Sequence, residues 1–171
     1  MRPIPLNAHN LNAMDSKDKT ILQTLLTQEE NAALGVIVDT QPYVSMVPFV
    51  YWPERALCII HTSSLARHSA GLYSGAPYSL MVMDTHWRGT ALQTPRVTLC
   101  GETALLLPNT TLHQNAQKMY LARFPHAKIT FTLKDFSLFG LYVREARLVA
   151  GFGRAYTLTT EALKAIFEAN T

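Results

Sequence analysis

Between Ala33 and His61, three runs rich in β-branched and aromatic residues follow one another with only tight turns between them. No other feature limits the fold of this chain so strongly. Ala33 to Val38 closes at Asp39-Thr40-Gln41-Pro42. Tyr43 to Tyr51 closes at Trp52-Pro53-Glu54-Arg55, and Ala56 to His61 follows. Neither turn holds the roughly dozen residues that a crossover between parallel strands requires, so the spacing predicts an antiparallel meander. Pro48 marks a bulge or an edge in the second strand.

The rest of the chain extends this pattern. Ser16 is the expected cap of a helix carrying Ile21, Leu22, Leu25 and Leu26. A short helix is predicted from Leu65 to about Tyr73, with Ser64 as cap and a stop at Ser74-Gly75-Ala76-Pro77. Strands are predicted over Tyr78–Met83 and Arg96–Leu107, the second bulged at Gly101. A helix capped by Asn109 fits Thr110–Arg123, before Pro125. Strands Phe136–Val149 and Gly151–Leu158 and a closing helix capped by Thr159 or Thr160 complete the chain. The expectation is a mostly β (α+β) fold, a small barrel of six or seven largely antiparallel strands with peripheral helices. Residues 1–15 read as a loose arm, and residues 16–171 as one domain.

Composition narrows the classes. The 15 basic residues against 12 acidic ones are scattered singly, without the clustered stripe of a nucleic-acid binder. No stretch reaches the about 18 apolar residues of a membrane span, and Met1-Arg2-Pro3-Ile4-Pro5 is unlike a secretion signal. Cys58 and Cys100 each sit in an apolar run and read as buried free thiols of a cytoplasmic protein. The histidines show no paired ligand spacing and suggest no metal site.

Three segments are candidates for chemistry. Thr62-Ser63-Ser64-Leu65-Ala66-Arg67-His68 places hydroxyls and a guanidinium at a strand-to-helix junction, where backbone N–H groups and the helix dipole favour an anion. The plainer alternative is an ordinary helix cap with Arg67 in water. Arg96 opens a strand, as a second cation for the same anion or as an ordinary edge arginine. Gly151-Phe152-Gly153-Arg154 permits close approach of a flat ring, or simply marks a bulge.

The ordered blocks resemble the flavin mononucleotide-binding split-barrel superfamily that includes pyridoxamine 5′-phosphate oxidase, most closely its branch related to haem-utilisation proteins. The blocks are Leu34-Gly35-Val36 with Pro42 to Phe49, Ser63 to His68, Pro95 to Gly101, the helix end from Tyr120 to Pro125, Asp135-Phe136, and Gly151 to Ala155. The resemblance implies a homodimer with FMN bound across the subunit interface. Val44, Ser45, Met46, Val47 and Pro48 would then meet the isoalloxazine. Thr62, Ser63, Arg67 and His68 would surround the phosphate with Arg96 close by, and Arg154 would approach from the partner chain.

Departures narrow this further. The run Tyr43 to Tyr51 has none of the basic residues of pyridoxamine phosphate oxidases, and the C-terminus lacks their basic motif. No histidine follows His126, whereas haem-degrading relatives use one near the C-terminus. Ala70-Gly71 stands before Leu72, where relatives often carry Asn. The expected function is a flavin-dependent oxidoreductase with a small-molecule substrate. Haem binding through His61, His68 or His126, and a cofactor-free binding module, are the alternatives.

Overall fold

The computed structural model of the chain describes residues 14–169. Most of the expected arm, residues 1–13, lies outside the described residues. Met14 is already buried. Asp15, rather than Ser16, caps the first helix, its carboxylate accepting from the Asp18 amide at 2.7 Å.

The elements in chain order are α1 (Ser16–Gln28), β1 (Asn31–Val38), β2 (Gln41–Pro48), β3 (Val50–Trp52), β4 (Leu57–Ser63), β5 (Pro77–Met83), β6 (Arg96–Leu105), α2 (Thr111–Arg123), β7 (Phe136–Gly151), β8 (Arg154–Thr159) and α3 (Thr160–Glu168). All strand pairs are antiparallel, in the order β2-β1-β5-β6-β7-β4-β3, with β8 also on β7. The strand predicted over Tyr43–Tyr51 is therefore two strands, which raises the number to eight.

That division creates the architecture. β2 and β3 are opposite edges of one sheet, yet only Phe49 separates them in the chain. The sheet must curl until its edges meet. Pro48 cannot donate a ladder hydrogen bond, and the Phe49 amide turns to the carbonyl of Glu30 at 3.1 Å. The Phe49 side chain is fully buried within the curl. This is a split barrel, closed at that corner and left open beyond it.

Two apolar cores result. The barrel interior holds Leu34, Phe49, Cys58, Ile60, Leu80 and Leu99, with α1 and α3 contributing Leu22, Leu25, Leu26, Leu163 and Ile166. The second core lies between α2 and the outer face of β4 and β7, built on Leu57, Ile59, Leu106, Ala116, Tyr120 and Leu138. β4 is thus covered on both faces, which explains its unbroken Leu57-Cys58-Ile59-Ile60 run. Both cysteines are free, and burial pushes the Cys58 thiol well above its ordinary range.

The bulge at Gly101 is present as a register shift between Cys100 and Gly101. A Cβ there would lie 1.9 Å from the Tyr142 carbonyl oxygen, so only glycine fits. Two local expectations change. Asn109 does not cap α2; it sits at φ 67° as a turn residue, and the Thr110 hydroxyl accepts from the His113 amide at 3.2 Å. Between α2 and β7 the chain winds into a 3-10 helix over Pro125–Thr132 that the apolar pattern did not announce.

Candidate cofactor-binding site

The turn after β4 differs from its expected form. No α-helix follows it; residues Arg67–Gly71 make a short 3-10 helix, and Ser64 caps nothing. Hydrogen bonds to Asp135 and within the turn itself take its polar groups instead. The Ser64 amide donates to the Asp135 carbonyl at 2.7 Å, the Leu65 amide to Ser63 Oγ at 3.0 Å, and the Ala66 amide to the Ser63 carbonyl at 3.1 Å. Ser63 Oγ donates to the Asp135 carboxylate. The segment then docks closely on β1, where a Cβ on Gly71 would lie 2.7 Å from the Ile37 carbonyl. A helix dipole aimed at an anion is therefore absent from this turn.

His68 spans the open side of the barrel. Its Nδ1 is 2.9 Å from Ser45 Oγ on β2, and its Nε2 is 2.7 Å from Thr62 Oγ1 on β4. Burial lowers its pKa and so favours the neutral ring. The proton positions follow from the end of the chain of contacts. Ser69 Oγ donates to the Ser63 carbonyl at 2.7 Å, so it accepts from the Thr62 hydroxyl at 3.2 Å. Thr62 then accepts from Nε2–H, and Nδ1 accepts from the Ser45 hydroxyl. Both ring nitrogens are engaged within the protein.

Arg67 is exposed, and its Cζ stands 5.3 Å from the centroid of the Tyr43 ring. Among the described residues no carboxylate pairs with it. Tyr43 also lines a cleft of about 310 Å³ with Gly35, Ile37, Val44, Pro77 and Ser79. The cleft opens on a sheet face that no helix covers. Strand alternation directs Pro42, Val44 and Met46 of β2, Ile37 of β1, and Met81 and Met83 of β5 to that face. Val44 is 64% and Met46 65% exposed, unusual for an apolar strand.

The eleven residues expected to hold a cofactor therefore divide. Ser45, Thr62, Ser63, Arg67 and His68 come together around the turn. Val44, Met46 and Pro48 lie on the outer face, while Val47 is buried in the barrel core. Arg96 is elsewhere. Ser63 pairs with Phe136 and Arg96 with Val149, thirteen residues further along β7 (149 − 136 = 13). It projects beside Arg147, a cation the sequence reading passed over, which donates to Thr157 Oγ1 at 2.8 Å. Arg154 forms an ion pair with the fully buried Asp18, whose other oxygen accepts from the Tyr156 hydroxyl at 2.7 Å. In this chain it secures α1 to the β7–β8 hairpin. Tyr43 also went unremarked as a site residue, and only its place beside Pro42 at the strand start marked it.

No family model matches the sequence, and no curated protein is similar to it. Solved structures are. A haem-binding protein from Mycobacterium smegmatis superposes with a TM-score of 0.74 at 23% identity, over 96% of this chain and 62% of that one. The haem storage protein HutZ from Vibrio cholerae gives 0.62 at 20% identity, over 71% of this chain and 87% of that one. An FAD-binding protein from Mesorhizobium loti gives 0.55 at 16%, over 78% and 92%. The chain shares the split-barrel fold of these proteins. Likeness at this level concerns the fold, and the site must be judged on its own residues. No helix among the described residues is long and apolar enough to cross a membrane.

Proposed function

We propose that this split barrel binds FMN and acts as a flavin-dependent oxidoreductase, working as a homodimer. The carrying observation is Arg67, exposed and without a carboxylate partner among the described residues, standing over the Tyr43 ring on the edge strand that also borders the uncovered cleft. A guanidinium without a carboxylate partner suits a phosphate. The apolar bed on the other face of this edge strand suits a flat ring and would exclude water from it. Val44, Met46 and Ile37 supply that bed. Ser63 contributes little as a donor, because Asp135 already takes its proton.

Two features support the dimer. The apolar face of β1, β2 and β5 is exposed in the single chain, and a second copy would cover it. Arg96 and Arg147 lie at the far end of β7 from Arg67, so a second copy is the natural source of further cations at its phosphate. A bound flavin would itself carry the redox chemistry; the chain's residues bind and orient it.

Titration of FMN with the protein, followed by flavin fluorescence, tests this reading. Saturable quenching is expected, with Arg67→Ala weakening binding about tenfold to a hundredfold, the value of one charge-assisted hydrogen bond. Unchanged fluorescence would overturn it.

Haem binding is the second reading, favoured by one observation. His68 has no ring nitrogen to offer, but the His61 ring makes a single hydrogen bond among the described residues, from Nδ1 to Thr130 Oγ1 at 3.1 Å. A Soret band on haem addition that is lost in His61→Ala and kept in His68→Ala would support it. A band lost only in His68→Ala would refute this assignment.

A further inference from the structure

His61 and Thr62 are neighbours on β4 but face opposite sides of it. Thr62 joins the His68 network at the barrel opening, whereas His61 faces α2 and the 3-10 helix. There it borders a cavity of about 440 Å³ lined by His113, Gln117, Phe131, Phe136 and Ser137 among others. The size suits a small organic molecule.

The walls specify the chemistry. Phe131 stacks on the His61 ring at 3.8 Å and 12°, and the centroid of Phe136 is 5.1 Å from it. His113 and Gln117 are one turn apart on α2, so they present their polar ends to the same side. Together with Ser137 and the His61 ring they form a mixed set of hydrogen-bond donors and acceptors. No Asp, Glu, Lys or Arg lines the cavity. Burial holds His61 neutral, with a pKa near 4, and lowers that of His113 as well. A dication bound there would lack a countercharge, and a carboxylate would lack a cation.

We propose that this cavity, separate from the flavin cleft and independent of that reading, is a binding site for a flat, uncharged nitrogen heteroaromatic of one or two rings. Its body lies against the phenylalanines and its ring nitrogens or amide meet His61, His113 and Gln117.

Nicotinamide and nicotinate test this directly, because they share a ring and differ in charge. The full chain is titrated with each while the side-chain ¹⁵N–¹H correlations of its histidines are recorded, with adenine as the two-ring probe. Nicotinamide is expected to shift His61 and His113 saturably and to leave His68 in place. Nicotinate should bind at least about tenfold more weakly, as an unpaired buried charge requires. Gln117→Leu and His113→Leu, both on the partly exposed face of α2, should each weaken nicotinamide about threefold to tenfold. An unmoved His68 signal certifies that they are folded. The proposal is overturned if neither nicotinamide nor adenine shifts His61, if nicotinate binds as tightly as nicotinamide, or if both variants bind like the parent.

Discussion

His61 and His68 stand seven residues apart at either end of the same turn, both favouring the neutral form through burial, and they do opposite things. His68 has each ring nitrogen hydrogen-bonded to a hydroxyl, from two strands that share no ladder. It fastens the open side of the barrel. His61 is held by ring contacts and a single hydrogen bond, and its ring borders a cavity. The difference comes from strand alternation and from what lies beyond each face. On the His68 side the chain returns to β1 and β2 at once. On the His61 side α2 and the 3-10 helix arch over β4 and leave space. A buried imidazole with both nitrogens engaged is part of the fold, and one with a single hydrogen bond beside a cavity is available for chemistry.

The comparison would break most visibly at His68. His68→Ala removes two hydrogen bonds, strands Ser45 and Thr62, and leaves a cavity, so we expect a loss of about 2–4 kcal/mol in urea unfolding. A loss below that of His61→Ala would mean that the fastening is unimportant. His61→Ala should cost less, about 1–2 kcal/mol, since it gives up ring packing and one partly exposed hydrogen bond. His61→Phe should recover most of that.

Acid should sharpen the contrast. The unfolded chain binds protons at its histidines near the ordinary pKa of 6.5, while folded His61 does so only near 4. Protonation therefore favours unfolding, and stability is full above about pH 6.5 and falls as the pH drops towards 4. In His61→Phe that slope should be shallower, as measured by urea midpoints across this range. An unchanged slope would assign the pH dependence to other groups. The smallest effect is expected at Arg67→Ala, whose exposed side chain should change stability by less than about 0.5 kcal/mol. A larger loss would make the Tyr43 contact a structural one, and the phosphate reading of Arg67 would weaken.

Much of the architecture was written in local patterns. The tight antiparallel connections β1–β2 and β3–β4, the Gly101 bulge and the closing helix capped by Thr159 all follow from alternation, glycine and capping chemistry. These are short-range properties, set by residues within a few positions of one another. The continuous three-strand meander does not form, because the middle strand divides at Phe49. The helix expected after Ser64 failed because its competitor is remote: the Asp135 backbone and side chain take the turn's polar groups from seventy residues away.

The candidate site was legible only in part. The sequence by itself determined which residues carry suitable chemistry, and grouped Thr62 to His68 because they are adjacent. Only the tertiary structure decided how each is used. It paired Arg154 with Asp18, moved Arg96 to the far end of β7, set Arg67 over Tyr43 beside an open cleft, and engaged both nitrogens of His68 while giving His61 a single hydrogen bond. A residue's chemistry is local, but its availability depends on hydrogen-bond partners and burial supplied by distant strands. In a sheet that curls back on itself, those partners are set by the curl and not by the neighbouring sequence.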